Sequence, residues 1–319
     1  MSTRHLVDPE TLRLLELLPV MDMTRENLAA VRSTPLVAPD PLPDGTLLPE
    51  KISTSGRDGA PDVTLLVYNP PSDKKCRGAI LHIHGGGMVL GSADISIMGC
   101  SAVAQANDCV IVSVDYRLAP EATFPDPQED CYAGLEWLID NAAELGVDTA
   151  NIHVMGESAG GGLSAALAQM VRDRGEHQLA GQILIYPMID HRVGGPDDPY
   201  HNPVTGEFIW TKGSNQFGWS CLQGDYALND TRIGWFSPSR ASNLANLPPA
   251  YLMVGALDLF VDETLDYSRR LIAAGVPCEL HVYPGAIHGF NMFTPATVSQ
   301  QANRDMMEAV GRMLSVKQD

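Results

Sequence analysis

The stretch from Ile152 to Gly162 restricts the fold more than any other. Ile152 to Met155 is an apolar run that predicts a short buried strand, and from Ala159 a helix filled with small residues follows. Only Gly156-Glu157-Ser158 separates the two, so strand must become helix through one sharp turn that exposes a serine hydroxyl. Gly156 and Gly160 let the backbone bend there and let a neighbouring strand come close. The start of the helix aims N–H groups at the serine, a setting that favours an anion forming beside it.

Strand-like runs recur on both sides of this turn. Glu50 to Thr54 and Val63 to Asn69, separated by a turn over Gly56 to Pro61, alternate in polarity and predict a sheet edge with one wet side. Ala79 to His84 is more apolar and runs into Gly85-Gly86-Gly87, and a helix from about Ile95 to Ala106 leads to a strand at Val110 to Val114. Asp126 as cap, Pro127 at the first helical position and Glu129 closing a capping box predict the next helix start. Cys131, Leu135 and Leu138 then recur at helical spacing. The helix from Ala159 runs to about Arg174, and Gln182 to Tyr186, Tyr251 to Val254 and Glu279 to Tyr283 are the remaining strands. A helix over Val261 to Ala274 stops at Gly275, and Val298, Ala302, Met306, Ala309 and Met313 stripe a last one. Buried strands alternating with helices indicate the α/β class, a mostly parallel sheet covered on both faces.

Two segments break that rhythm. Leu12, Leu14, Leu15, Leu17 and Leu18 precede Pro19, and a second helix is expected from Thr24 to about Ser33, with Thr24 as cap and Asn27 three residues on. So many leucines require another surface to pack on. Pro35, Pro39, Pro41, Pro43 and Pro49 then mark an irregular connector. Met188 to Pro248 holds Trp210, Trp219, Trp235, Phe208, Phe217 and Phe236, and is read as a partly helical lid with a helix from about Lys212 to Leu222. Its aromatic residues read as lid core ahead of substrate contacts. The expected organisation is 1–49 as the N-terminal part of a cap, 50–187 as the first part of the α/β domain, 188–248 as a cap insertion and 249–319 as the second part.

A formal charge of −18, from 39 acidic and 21 basic residues, disfavours a nucleic-acid partner and an anionic membrane surface. The charge reads as a solvated surface and says little about a neutral substrate. The six cysteines lack metal-ligand spacing, and Cys109 and Cys131 read as small buried hydrophobes. The first residues, with Asp8, Glu10 and Glu16, lack the basic and apolar regions of a signal peptide, and no run has the ~20 apolar residues of a membrane span. A cytoplasmic location is the expectation, with no stable membrane anchoring.

Chemistry-bearing residues collect just past the C-terminal ends of strands: Ser158, Asp258 and His288. In an open parallel sheet those ends share one edge, so distant stretches can meet there. A serine hydroxyl needs an adjacent imidazole to take its proton, and a carboxylate to fix that imidazole's tautomer. Asp258 is the first carboxylate after its strand, with Asp262 one turn on and Asp190 past another strand as alternatives. Gly85, Gly86 and Gly87, with Ala159, supply side-chain-free or exposed backbone N–H groups for an oxyanion. The dinucleotide pattern G-x-G-x-x-G does not fit this stretch, and no G-K-[ST] follows. His82 and His84 lie on one strand face, but no further ligand cluster accompanies them, so no metal is expected and His84 is assigned to holding the glycine loop. No cofactor is called for. Arg117 reads as an internal ion-pair scaffold.

His84-Gly85-Gly86-Gly87, Asp115-Tyr116-Arg117-Leu118-Ala119-Pro120-Glu121, Gly156-Glu157-Ser158-Ala159-Gly160-Gly161 and His288-Gly289-Phe290 together resemble the bacterial hormone-sensitive-lipase family of esterases, over roughly residues 60 to 315. The resemblance implies an eight-stranded α/β-hydrolase fold with a helical cap built from the N-terminus and the segment after the sixth strand. It also implies action on short- to medium-chain carboxylic esters, commonly as a homodimer. Within that pattern the oxyanion donors fall on Gly86, Gly87 and Ala159, with Gly85 shaping the loop. Two positions depart from it: Glu157 stands where Asp is commoner, and Leu259-Phe260 rather than Pro-Leu follow Asp258. The resulting expectation is a serine carboxylesterase acting on a small neutral ester. A deacetylase or amidase with the same triad, and a non-catalytic small-ligand-binding protein on this fold, are the alternatives.

Overall fold

A computed structural model describes residues 2–17, 22–34 and 41–315. The expectations for Leu18, Pro19, Pro35 and Pro39, and for the side chains of Leu14 and Leu17, lie outside the described residues.

The strands are β1 (Glu50–Thr54), β2 (Val63–Tyr68), β3 (Arg77–Ile83), β4 (Val110–Asp115), β5 (Val147–Glu157), β6 (Gly181–Ile185), β7 (Ala250–Gly255) and β8 (Cys278–Tyr283). They form one 8-stranded sheet in the order β1-β2-β4-β3-β5-β6-β7-β8. β2 runs antiparallel to both β1 and β4, and every other pairing is parallel. β1 is the wet edge, whereas β2 is buried almost throughout because β1 and β4 flank it and its side chains enter both core layers.

The helices are α1 (Leu12–Leu17), α2 (Leu28–Arg32), α3 (Ile97–Asn107), α4 (Asp126–Asp140), α5 (Ala142–Leu145), α6 (Ala159–Arg174), α7 (Lys212–Gln223), α8 (Ile233–Phe236), α9 (Val261–Ala273) and α10 (Thr297–Ser315). Alternate residues of a strand face opposite sides. Ile80, Ile111, Met155 and Ile183 therefore join Val103 of α3 with Ala309 and Val310 of α10, while Leu81, Val112 and Val154 join Leu135 of α4 with Leu163 and Leu167 of α6. α9 covers the same side as α6 further along, where Tyr267 and Leu271 meet Leu184 and Leu252. No described helix is long and apolar enough to cross a membrane.

The start of α4 differs from expectation. Pro125 occupies the cap position and Asp126 lies inside the helix. The Asp126 carboxylate is drawn to Arg117 at 3.2 Å, and Glu129 turns to Arg57 at 3.3 Å and Arg174 at 2.5 Å, so neither closes a capping box. The second N-terminal helix, α2, is shorter than the expected Thr24 to about Ser33. Thr24 and Asn27 nonetheless bond reciprocally, each side chain accepting from the other's backbone N–H at 3.3 and 2.8 Å.

The N-terminal segment is tied to both distant parts of the chain. The Asp8 N–H donates to the Gly285 carbonyl at 2.9 Å, and the Thr3 hydroxyl donates to Glu207 at 2.6 Å. Further on, the Met23 N–H donates to the Ser214 hydroxyl at 2.9 Å, and Arg32 donates to the Val89 and Ala119 carbonyls at 2.8 and 2.7 Å.

Candidate active site

The turn after β5 is shaped by what cannot be there. A Cβ on Gly156 would lie 2.3 Å from the Gly160 carbonyl oxygen, and one on Gly160 would lie 2.0 Å from that of Ile83. Only glycine permits strand, turn and β3 to approach this closely. The compression leaves Ser158 at φ +56°, a strained value for a residue with a side chain.

Ser158, Asp258 and His288 meet at the C-terminal edge of the sheet. The Ser158 hydroxyl donates to His288 Nε2 at 2.9 Å, and His288 Nδ1–H donates to Asp258 Oδ2 at 2.8 Å. The other Asp258 oxygen accepts from the Phe260 N–H at 3.0 Å. Asp258 is 1% exposed, and Ser158 and His288 are 7% exposed, so water has little access to the chain of bonds. The alternative acids are engaged elsewhere: Asp190 holds Arg192 at 2.6 Å, and Asp262 accepts from Asn202 at 2.7 Å, bracing α9 against the 188–248 segment.

Gly85, Gly86 and Gly87 pass over the serine. The Gly86 carbonyl accepts from the N–H groups of Val89 and Leu90 at 3.1 and 2.8 Å, closing a tight turn. Among the described residues, the N–H groups of Gly86, Gly87 and Ala159 donate to no protein acceptor. His84 holds the loop: its Nδ1 donates to the Gly85 carbonyl at 2.7 Å while its ring stacks on Tyr116 with centroids 4.2 Å apart. The Tyr116 hydroxyl in turn donates to the His84 carbonyl at 3.0 Å. Burial drives His84 down to about 4, so the ring is neutral near pH 7, and the Gly85 carbonyl places its single proton on Nδ1.

His82 bonds Ser113 at 2.8 Å and Glu157 at 3.0 Å. Burial pulls its imidazole down, but the neighbouring Cys100 and Glu157 outweigh burial and lift it well above the ordinary histidine value. The two histidines thus have separate protein partners. The grouping of metal-ligating side chains among the described residues, Glu136, Glu176 and His177, lies on α4 and after α6. There Glu136 is bonded by Arg57 and Glu176 by Tyr132, so both carboxylates already have partners. Arg117 forks onto the buried Asp130 at 2.8 to 3.1 Å, as a scaffold would.

Several contacts at the site escaped sequence reasoning. The Tyr186 and Phe260 rings flank His288 edge to face, with centroids 4.9 and 5.2 Å away, and the Tyr186 hydroxyl donates to Asn291 at 2.8 Å. Tyr186 ends the run after β6, at the sheet edge that carries the serine, and that position was the available signal. The 188–248 segment is partly helical, and its Trp210, Trp219 and Phe236 pack in one cluster with Met23 and Leu28 of the N-terminus, Met88 to Leu90 and Ala159.

Known proteins with this pattern agree on its class. The alpha/beta hydrolase fold family matches residues 80–292. "Esterase LipI" of Mycobacterium tuberculosis is 32% identical over 89% of this chain and 88% of its own length, and "Ethyl acetate hydrolase" of Pseudomonas putida is 32% identical over 75% and 74%. Among solved structures, "Bacterial Heroin Esterase" superposes with a TM-score of 0.87 at 33% identity, covering 99% of this chain and 100% of that one.

Proposed function

The chain belongs to the alpha/beta hydrolase fold family of hormone-sensitive-lipase-like esterases and is a carboxylic ester hydrolase, and from that premise we propose that it cleaves short- to medium-chain esters through an acyl intermediate on Ser158. His288 Nε2 takes the Ser158 proton as Oγ bonds to the ester carbonyl carbon, and Asp258 holds the opposite ring N–H and stabilises the imidazolium. The negative charge formed on the carbonyl oxygen is received by the N–H groups of Gly86, Gly87 and Ala159, with Gly85 shaping their loop. His288 then gives its proton to the departing alkoxide; it next takes a proton from water as that oxygen bonds to the acyl carbon, and returns it to Ser158 Oγ as the acyl–Oγ bond breaks and the acid leaves.

The observation that carries this reading is the unbroken run of bonds from Ser158 Oγ through His288 to Asp258 beside unengaged glycine N–H groups. A small neutral ester is supported by the low exposure of Ser158 and by a relative named for ethyl acetate. The same proposal includes a homodimer in the cytoplasm, checked by light scattering and cell fractionation.

The test is turnover of p-nitrophenyl esters with acyl chains from acetate to dodecanoate, beside Ser158→Ala. The expected result is a maximum among the shorter chains and a loss of about 1,000-fold or more in the variant. Undiminished turnover by Ser158→Ala would overturn the mechanism.

A further inference from the structure

The 188–248 segment packs on the glycine loop at Gly87. The edge of the Trp210 indole lies so close that a Cβ on Gly87 would sit 2.1 Å from Trp210 Cη2 and 2.3 Å from Cζ2. From α7, Gly218 packs against the Gly87 carbonyl, where a Cβ on Gly218 would sit 2.6 Å from the oxygen. Both contacts come from anchored groups. Trp210 Nε1 donates to Asn215 at 3.3 Å, and Asn215 donates onward to the Val193 carbonyl at 2.8 Å. Thr211 caps the start of α7 by accepting from the Ser214 N–H at 3.1 Å.

Gly87 is the joint between two rigid peptide planes. The plane before it carries the Gly87 N–H and is held by the bonds to the Gly86 carbonyl. The plane after it carries the Gly87 carbonyl, against which Gly218 packs, while Trp210 packs on the Cα between the two planes. Gly87 sits at φ +62°, where glycine turns freely unless its surroundings prevent it.

We propose that Trp210 and Gly218 are positioning residues for the oxyanion site. Seated on the Cα and on the carbonyl of Gly87, they hold the joint in place and, together with the bonds to the Gly86 carbonyl, set the direction of its N–H, so transition-state stabilisation depends on the cap being in place. This rests on the assignment of the Gly87 N–H as an oxyanion donor.

Gly218→Ala drives a methyl group at the Gly87 carbonyl. The expected result is a fall in kcat of about 10- to 100-fold with KM held within about two-fold. Affinity for an aryl trifluoromethyl ketone should fall with kcat/KM, because its hemiketal with Ser158 places an oxyanion in the same site. Affinity for the product alcohol should stay constant. Trp210→Leu withdraws the ring without adding bulk and should lower kcat and ketone affinity in the same direction. It decides the matter if Gly218→Ala does not fold. Gly99→Ala, on an exposed face of α3 with nothing within 4 Å, is the unchanged control.

Folded variants that keep wild-type kcat and ketone affinity, or that raise KM alone, overturn the proposal while Ser158→Ala remains inactive. Turnover by Ser158→Ala would bring down the oxyanion assignment and this inference together.

Discussion

Asp258→Asn isolates the carboxylate without changing its shape. Two donors face Asp258: the fixed Phe260 N–H at 3.0 Å on one oxygen, and His288 Nδ1–H at 2.8 Å on the other. An asparagine has one acceptor oxygen and one NH2 group, so it can satisfy only one donor. The backbone N–H cannot move, but the imidazole can change tautomer. The amide oxygen should therefore keep Phe260, and the NH2 group should donate to His288 Nδ1. The ring proton then sits on Nε2, 2.9 Å from Ser158 Oγ, where an acceptor is needed. The same substitution in a serine protease costs about 10,000-fold in kcat by this route, equivalent to about 5 kcal/mol of barrier. Initial rates and acyl-enzyme burst amplitudes with p-nitrophenyl acetate read the loss, and 15N chemical shifts of His288 read the tautomer. The fold should be retained, since volume is unchanged. Activity within about ten-fold of wild type, or a greater loss in Asp262→Asn, would refute the assignment.

Buried neutral histidines make stability fall in acid. Burial lowers His84 and His153 to about 4, against about 6.5 unfolded. The unfolded chain therefore takes up protons first as pH falls from 6.5 to 4, and each ring should cost about 2 kcal/mol by pH 5. His82, raised in the fold, acts in the opposite sense, so the measurement is the difference between wild type and His153→Gln in urea midpoints at pH 8 and pH 5. A pH dependence identical in both proteins would refute it. Gly160→Ala should cost more than about 4 kcal/mol, because its Cβ would sit 2.0 Å from the Ile83 oxygen; a wild-type melting curve would contradict the packing account. Arg117→Met strands the buried Asp130 carboxylate and should lower unfolding free energy by about 3 kcal/mol, which an unchanged urea midpoint would disprove.

The strands were legible because each is a short apolar run closed by glycine, proline or a polar turn, and burial on both faces leaves that mark in composition. Ser158, Asp258 and His288 stood out for a related reason: reactive residue types directly after such runs fall at one sheet edge. Other features depend on side-chain direction between segments far apart in the chain. Asp126 resembles a cap until Arg117 draws it away, and neither neighbour suggests that outcome. The rings of Tyr186 and Phe260 reach His288 from positions 102 and 28 residues earlier, so no local pattern links them. β2 read as half wet because its own alternation cannot reveal strands on both sides.

The bonds from Asp8 to Gly285 and from Thr3 to Glu207 have a consequence for synthesis. Synthesis delivers Thr3 and Asp8 well before their partners Glu207 and Gly285. The bond from the Asp8 N–H cannot form until the loop that bears His288 has been made. Ser158 is translated long before His288, so a nascent chain halted short of that loop lacks the imidazole that the proposed mechanism requires.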